Sequence, residues 1–281
     1  MTSKGPSSAN SQTSSTEEPV DLDLPKSLMA TRRGAVAPLR LVRPEKRNAL
    51  DDSTVLGLET FFTRLPKDIG AVVLTGEGAH FSAGLDLSER AGQRDPLDGV
   101  FHSRMWHRAF EAIQFGRAPV IAVLHGAVVG GGLELAAAVH IRVAERSAYY
   151  GLPEGRRGIF LGGGGSVRVA RLIGVARVQD MLLTGRTLSA EEGHLAGAAQ
   201  YLVDDGKGLA KAIELAAKAA SNTSTTNFGV LHALPRIFES DPASGLLTES
   251  LMAAIAEMSP QARGRLKDFL EKRAAKVLPQ G

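Results

Sequence analysis

The chain contains no cysteine. This absence excludes disulfide bonds, thiol nucleophiles and thiolate metal ligands, so any chemistry must come from other side chains or from the backbone. Long apolar runs are also missing, and none reaches the roughly 18 uncharged residues that a membrane-spanning helix needs. We therefore expect no membrane span. A chain without thiols fits a reducing compartment, and we predict a cytoplasmic location.

The chain also lacks a large excess of either positive or negative charge. Lys and Arg number 33 against 30 Asp and Glu, which leaves a formal net charge of +3. This small excess gives weak support to an anionic ligand, and without a clustered basic stripe we predict no nucleic-acid partner. The seven histidines show no metal-ligand spacing with acidic residues, so we predict no metal site.

The composition is otherwise that of a folded protein, with 43% hydrophobic residues in 281 positions. This length allows one large domain or two small ones. Residues 1–27 are rich in Ser, Thr, Asn and Gln, include acidic residues and lack an apolar signal core. We interpret them as a disordered N-terminal tail rather than a targeting segment, with docking on a neighbouring subunit as the alternative.

Short apolar runs alternate with helical patterns after this tail. Leu28 to Arg43 is typical of an antiparallel hairpin, and buried strands are predicted at Ala71–Thr75, Pro119–Leu124 and Ile141–Ala144. Helical periodicity between the strands indicates crossover connections and an α/β fold. After Gly165 the pattern becomes helical. We therefore predict a strand-rich core over residues 28–220 and a helical region over residues 221–281.

Two glutamates occupy positions that make little sense for solvated surface charges. Glu134 follows three glycines inside a long apolar run, and Glu154 follows the apolar stretch that ends at Pro153. A carboxylate in apolar surroundings is costly unless it has a function. Two such acids in one pocket would take one proton and give another, which is what the addition of water to a double bond requires.

Three motifs around these glutamates resemble the signatures of the crotonase (enoyl-CoA hydratase/isomerase) family. They are Ala71-Val72-Val73-Leu74-Thr75-Gly76 with Phe81-Ser82-Ala83-Gly84-Leu85-Asp86, then Ala118-Pro119-Val120-Ile121-Ala122 with Gly130-Gly131-Gly132-Leu133-Glu134-Leu135-Ala136, and finally Pro153-Glu154 with Gly162 to Gly165. The likeness extends from Leu28 to the C-terminus. It implies an α/β spiral of repeated ββα units with a C-terminal helical trimerisation region, assembled as a homotrimer or a dimer of trimers.

The resemblance also implies roles for individual residues. The amides of Leu85 and Gly131 would bind a thioester carbonyl and stabilise the enolate, although the glycines alone would also permit a tight turn. Glu134 would activate water for attack at the β-carbon, and Glu154 would give a proton to the α-carbon. Having both acids favours a hydratase acting on an enoyl-CoA. The alternatives are an isomerase or thioester hydrolase of the family, or a non-catalytic RNA-binding protein of this fold.

Coenzyme A would enter as part of the acyl-CoA substrate, and we predict no separate cofactor. The resemblance implies that the coenzyme A site is formed by a polar turn, a stretch of backbone and a helix from a neighbouring subunit. That helix would supply Phe269 and Lys272. The matching positions are Lys46, Arg47, Ala49, Ala83, Leu85, Asp86, Leu87, Phe269 and Lys272. An ordinary solvated basic face is the alternative for any single lysine.

The chain departs from the family pattern directly after Glu154. Gly155-Arg156-Arg157-Gly158-Ile159-Phe160-Leu161-Gly162 replaces the apolar segment that many hydratases carry. An arginine in contact with Glu154 would lower its pKa and spoil it as an acid. The segment resembles a subset of the family that includes methylthioacryloyl-CoA hydratase, which implies a short or heteroatom-bearing acyl chain.

Large side chains near the motifs are candidates for an acyl pocket, with simple core positions as the alternative. These candidates are Tyr149, Tyr150, Phe160, Trp106 and Met105. His102 and His107 are expected near the pocket mouth, either as auxiliary groups or as surface residues.

Overall fold

A computed structural model describes residues 17–90, 95–271 and 273 of the protein. The strands in these ranges are Glu18–Pro19 (β1), Leu28–Arg32 (β2), Val36–Leu41 (β3), Ala71–Gly76 (β4), Val120–Leu124 (β5), Ala127–Val129 (β6), Ile141–Glu145 (β7), Tyr149–Gly151 (β8), Thr187–Ser189 (β9) and Tyr201–Val203 (β10). The helices are Asp52–Thr63 (α1), Pro96–Gln114 (α2), Gly131–Ala138 (α3), Gly165–Ile173 (α4), Val175–Thr184 (α5), Ala190–Ala196 (α6), Gly208–Ala220 (α7), Ser224–Phe228 (α8), Leu234–Glu239 (α9), Pro242–Met258 (α10) and Pro260–Leu270 (α11). In the part of the chain that the structure describes, no helix combines the length and the apolar composition that crossing a bilayer demands.

Seven strands form a mixed sheet, in the order β1-β2-β3-β4-β5-β7-β10. The first three pair antiparallel, whereas β3, β4, β5, β7 and β10 run parallel. Parallel strands need crossover connections, which cover the faces of the sheet. Every residue of β4 is buried. The core consists of two hydrophobic clusters, and the neighbouring residues Val73 and Leu74 belong to different ones. The α/β class predicted from the sequence is confirmed.

Helices bury the two faces of this sheet. On one face α7 packs Ala212, Leu215 and Ala216 against the strands. On the other face Phe61 of α1 and Phe110 of α2 are fully buried. Burying one such ring stabilises the fold by roughly 1.5–3 kcal/mol, so α1 and α2 are held firmly beside the strand ends.

Part of the segment predicted to be a disordered tail is ordered in the structure. Disorder is expected up to residue 27, but Glu18 and Pro19 pair with β2. Val20 is 8% exposed and belongs to the core cluster, against which Leu22 and Leu24 also pack. These three residues alternate with polar ones, a strand-like period that the overall composition of the segment conceals. Residues 1–16 lie outside the described residues.

The two glutamates are positioned by three short strands that were not predicted from the sequence. β6, β8 and β9 form a separate sheet, in which β6 and β8 run parallel. Each has three residues, too few to show a period of two. Val129 and Gly151 are partners in register, so the chain leaves both strands side by side. Glu134 follows the end of β6, and Glu154 follows the end of β8.

Asn48 connects two loops near these strand ends. Its side chain donates to the carbonyls of Glu77 at 2.9 Å and His80 at 2.7 Å, and accepts the Arg43 amide at 2.9 Å. The residue is 1% exposed and has a φ of 54°, which asparagine adopts more readily than most residues do. The turn that contains Asn48 is therefore held to the loop after β4.

We expect Asn48→Ala to lower the free energy of unfolding by about 2–4 kcal/mol, because one buried side chain makes three hydrogen bonds. Urea denaturation at a fixed protein concentration measures this change. Asn222→Ala is the control, since Asn222 is exposed and its side chain donates to Asn227 at 3.2 Å. A loss at position 48 no larger than at position 222 would show that Asn48 does not hold the loops together.

Candidate active site

One cavity brings the two glutamates together. It has a volume of about 480 Å³, and its lining includes Glu134, Glu154, Leu85 and Gly131. We call it the glutamate pocket. These four residues are the ones for which the sequence predicts catalytic roles, and they come from three separate segments of the chain. The cavity lies where the chain leaves β6 and β8.

Glu134 lies in the first turn of α3 and is held by backbone amides. The residue is 4% exposed, and its Oε1 accepts the N–H of Gly163 at 2.9 Å and of Gly165 at 2.8 Å. A Cβ built on Gly165 would lie 2.9 Å from the same oxygen, so a larger residue there would displace the carboxylate. Burial raises the pKa of Glu134, while the two amides and the Arg168 charge act in the opposite direction.

Glu154 precedes a short 3₁₀ turn, and its carboxyl group is more isolated. The residue is 7% exposed, and its Oε2 is buried without a hydrogen-bond partner among the described residues. Burial raises the pKa of Glu154 to about 7, and the nearby Glu134 acts in the same direction. A carboxyl group with such a pKa can hold or release a proton near neutral pH.

The arginines that follow Glu154 do not neutralise it. Within residues 17–90, 95–271 and 273, neither guanidinium forms an ion pair with this carboxylate. Arg156 donates to the carbonyl of Thr184 at 3.5 Å. Arg157 lines the glutamate pocket and lowers the pKa of Glu154, but too weakly to reverse the effect of burial. The sequence left this question open because adjacent residues of a tight turn direct their side chains differently.

Two backbone segments cross in close contact beside the glutamates. Gly84 has a φ of 88° and Gly130 a φ of 53°, a region that favours glycine. A Cβ on Gly84 would lie 2.9 Å from the Gly131 nitrogen, and one on Gly131 would lie 3.3 Å from the Leu85 nitrogen. Among the described residues, no acceptor takes a hydrogen bond from the Leu85 or the Gly131 amide. The crossing thus leaves two neighbouring N–H groups available to a ligand oxygen.

Asp86, in the stretch predicted to bind coenzyme A, has its carboxylate engaged within the protein. Its Oδ2 accepts from Arg43 Nη2 at 2.9 Å and lies 3.6 Å from Lys46 Nζ. Hydrogen bonds from Ser88, helped by Arg43 and Lys46, lower the pKa of Asp86 to about 2. The side chain is therefore a fixed anion that ties loops together, and the backbone amide of Asp86 is also engaged, since it donates to the carbonyl of Leu50 at 2.9 Å.

Three other predicted coenzyme A positions line the glutamate pocket or the cleft beside it, and a fourth, Ala49, lies in the turn that leads to them. Ala83 and Leu87 line this pocket. Arg47 and Ala83 line a neighbouring cleft. The carbonyl of Ala49 accepts from Arg43 Nη1 at 2.9 Å, which fixes the turn between them. The turn and the pocket are thus continuous.

The two positions predicted to act from a neighbouring subunit are distant in sequence from the rest. Phe269 lies in α11, is 65% exposed and does not line the glutamate pocket of its own chain. This position is compatible with a role in another copy and stays a prediction. Lys272 lies outside the described residues.

Two of the five acyl-pocket candidates line the glutamate pocket, namely Trp106 and Phe160. Tyr150 is fully buried in the core, and Met105 packs against the same cluster. Tyr149 lines the neighbouring cleft. The core alternative therefore fits Tyr150 and Met105, whereas a role of Trp106 and Phe160 in binding an acyl chain stays a prediction.

His102 is part of the pocket wall rather than a surface residue. Its side chain is 10% exposed, and Nε2 lies 2.6 Å from Asp52 Oδ1. The pocket also includes Ser103, whose hydroxyl donates to the carbonyl of Gly162 at 2.5 Å. His107 lies one turn further along α2, 3.4 Å from the same hydroxyl.

Sequence reasoning missed the groups that hold Glu134. The amides of Gly163 and Gly165 belong to the glycine run of the third motif, for which no individual role is predicted from the sequence. The available signal was the density of glycine next to a predicted buried acid, because backbone N–H groups reach a carboxylate most easily where no Cβ intervenes.

Comparison with known proteins gives consistent findings. Residues 31–277 match the model of a family described as Enoyl-CoA hydratase/isomerase. The chain is 34% identical over 245 residues to a probable enoyl-CoA hydratase of Mycobacterium leprae, covering 85% of this chain and 93% of the relative. A crystal structure of a putative enoyl-CoA hydratase from Rhodopseudomonas palustris is similar with a TM-score of 0.86 and 55% identity, over 89% of this chain and 97% of that one. A putative enoyl-CoA hydratase from Thermobifida fusca, in complex with acetoacetyl-CoA, has a TM-score of 0.75 and 27% identity, over 83% of this chain and 96% of that one.

We expect Glu154 to make the fold less stable as the pH rises towards neutrality. Its pKa rises from 4.5 to about 7 on folding, so between these values the folded chain keeps a proton that the unfolded chain has released. The free energy of unfolding therefore falls through this window, by up to about 3 kcal/mol. Glu154→Gln removes the titrating group, so its stability relative to the unmodified protein should increase from pH 4.5 to pH 7 and then level off.

Urea denaturation across this pH range checks the expectation. Glu214→Gln is the control, because Glu214 is exposed and its pKa is lowered by Lys218 and Lys211. That variant should show no such gain. A difference between Glu154→Gln and the unmodified protein that stays constant over the window would rule out the raised pKa.

Proposed function

Because the chain belongs to the enoyl-CoA hydratase/isomerase family, we propose that it adds water across the 2,3 double bond of an enoyl-CoA thioester. The crotonase-type fold predicted from the sequence is confirmed by the same likeness. The observation that carries the proposed reaction is the glutamate pocket, where two buried acids share one cavity with two amides that have no acceptor among the described residues. Hydration needs both an oxyanion site and two proton-moving groups.

The amides of Leu85 and Gly131 are the proposed oxyanion site. Each would donate to the thioester carbonyl oxygen, on which negative charge develops when a nucleophile attacks the β-carbon. Gly131 is the first residue of α3, where the helix dipole favours negative charge. Because Gly84 and Gly130 carry no Cβ, a substrate oxygen can approach both donors at once.

The environments of the two acids support different roles. Burial raises the pKa of Glu134, but two amides donate to its carboxylate and favour the ionised form, so we assign it as the base that takes a proton from water. Glu154 has a pKa of about 7, and no described residue donates to its Oε2, so we assign it as the acid that protonates the α-carbon.

The proton count closes over one turnover. Water oxygen bonds to the β-carbon, and its proton goes to Glu134. The electron pair of the double bond passes to the enolate oxygen, and the α-carbon then takes the proton of Glu154. The enzyme ends with Glu134 protonated and Glu154 ionised, and exchange with solvent or between the two acids restores the starting state.

Coenzyme A is proposed to extend from the pocket over the turn that holds Lys46 and Arg47, with Phe269 and Lys272 supplied by a neighbouring copy. Exposed apolar side chains support such an assembly, because α10 and α11 leave Leu247, Leu251, Met258 and Phe269 between 58% and 67% exposed. A surface of this kind marks a site of protein association. We assign it to contacts within a homotrimer or a dimer of trimers.

We expect Glu134→Gln and Glu154→Gln each to lower kcat for crotonyl-CoA hydration by about 10² or more, because each removes one of the two proton-moving groups. Loss of the enoyl-thioester absorbance measures the rate, and mass analysis should show the gain of one water without release of free CoA. Glu214→Gln, on the exposed face of α7, should retain full activity.

Each other product identifies a different reaction. An unchanged mass indicates isomerisation, and free CoA indicates thioester hydrolysis. Full activity in both pocket variants would contradict the assigned roles even if water is added.

We expect the protein to form a trimer or a hexamer in solution. Leu251→Glu combined with Met258→Glu should shift it towards monomers, because buried charges without partners oppose association. Light scattering coupled to size exclusion measures the molar mass. Leu209→Glu on α7 is the control, since Leu209 is also exposed, at 46%, but lies outside α10 and α11. A monomeric unmodified protein would refute the assembly.

A further inference from the structure

Arg157 lines two adjacent cavities. It lines the glutamate pocket and also the neighbouring cleft of about 260 Å³, which we call the arginine cleft and which is lined by Arg47, Arg157, Tyr149 and Ala83 among others. Arg157 and Ala83 are the residues that belong to both linings. Ala83 precedes Gly84 and Leu85, so Arg157 stands close to the point where the thioester is proposed to bind.

The guanidinium of Arg157 has no acceptor in the described part of the chain. Neither an ion pair nor a side-chain hydrogen bond to a described residue is formed by Arg157, and the same holds for Arg47. Arg156, by contrast, donates to Thr184, and Arg43 donates to Asp86. Two arginines whose side chains have no partner among residues 17–90, 95–271 and 273 thus line the same small cleft.

The surroundings of Arg157 make a bound anion favourable. Arg157 is exposed, so a ligand can reach its side chain, and Leu87, Ile159 and Phe160 line the glutamate pocket with it. A ligand bound against these apolar side chains would displace part of the water that screens the charge. A guanidinium offers a planar fork of donors that matches carboxylate and phosphate oxygens. Glu154 forms no ion pair with Arg157 in the described part of the chain, and burial raises its pKa to about 7, so it is a weaker partner than an acid that is fully ionised at neutral pH.

We propose that Arg157 binds an oxyanion carried by the substrate thioester, and that it determines which thioesters bind well. The inference rests on the proposed function for the identity of the ligand. Two groups carry such oxygens: a carboxylate on the acyl chain, which would lie in the glutamate pocket, and a phosphate of coenzyme A, which would lie in the arginine cleft beside Arg47. Both use the same chemistry, and ligands with different charges separate them.

The test measures binding of saturated thioesters, which have no double bond to hydrate. The three ligands are butyryl-CoA, with phosphates only, glutaryl-CoA, with phosphates and a carboxylate, and S-butyryl-N-acetylcysteamine, with no anion. The single tryptophan of the chain, Trp106, lines the glutamate pocket, so its fluorescence reports occupancy directly. The variants are Arg157→Gln, Arg157→Lys and the matched control Arg156→Gln.

We expect Arg157→Gln to weaken binding of the thioester whose oxyanion Arg157 contacts, which is glutaryl-CoA alone or both CoA thioesters. The expected loss is between about tenfold and about a hundredfold, as for the loss of charged hydrogen bonds. Arg156→Gln should change affinity by about threefold or less. Arg157→Lys should recover part of the loss, because it keeps the charge but not the fork. A loss confined to glutaryl-CoA assigns the acyl carboxylate, and an equal loss for both CoA thioesters with none for the neutral thioester assigns a phosphate.

Two results overturn the inference. One is a loss with Arg157→Gln that is no larger than with Arg156→Gln for every ligand. The other is an equal loss for the neutral thioester, which would indicate a structural role. Because no turnover is required, a protein that binds these ligands but fails to hydrate crotonyl-CoA would refute the proposed function and leave the assignment of Arg157 readable.

Discussion

The close crossing of two backbone segments, residues 82–85 and 129–132, is the constraint on which the site depends. Ser82 fixes it, because its amide donates to Ala127 at 2.9 Å and its carbonyl accepts from Val129 at 3.1 Å. Its hydroxyl donates to the carbonyl of Asn48 at 2.8 Å. A Cβ on Gly132 would lie 2.6 Å from the carbonyl oxygen of Ser82, so the start of α3 packs directly against Ser82. The same contact therefore sets the two free amides and aims the helix that carries Glu134.

Two buried carboxyl groups in one cavity are costly, and the fold supports them unequally. Glu134 receives two amide donors, whereas Oε2 of Glu154 receives none from the described residues. The isolation of Glu154 sacrifices stability for a proton that is available near neutral pH. An arginine against Glu154 would relieve this cost and abolish the asymmetry, which is why the position of the Arg157 guanidinium matters for the chemistry.

Much of the fold could be predicted from residues with strong local signals. β4 and β5 are continuous apolar runs between turns, and the predicted strands Ala71–Thr75 and Pro119–Leu124 agree to within one residue with the bounds found in the structure. The short β6 and β8 could not be predicted, because three residues show no period and their pairing is decided by tertiary contacts. The glutamates stood out as charges in apolar sequence. The amides that hold Glu134 did not, since backbone donors leave no mark on side-chain pattern beyond an abundance of glycine. The mixed outcome for the aromatic candidates has the same origin, because a large apolar residue suits a core and a pocket wall equally well.

The segment from Glu154 to Gly165 carries three parts of the site on one short length of chain. It begins with the proposed acid, continues through the pocket wall at Ile159 and Phe160, and ends with the amides that hold Glu134. An insertion or deletion within it would move all three together, whereas a side-chain exchange between its ends would alter only the wall. Natural divergence among relatives should therefore appear here as changes of residue identity at constant loop length, so that substrate range drifts while the proton-transfer geometry is inherited intact.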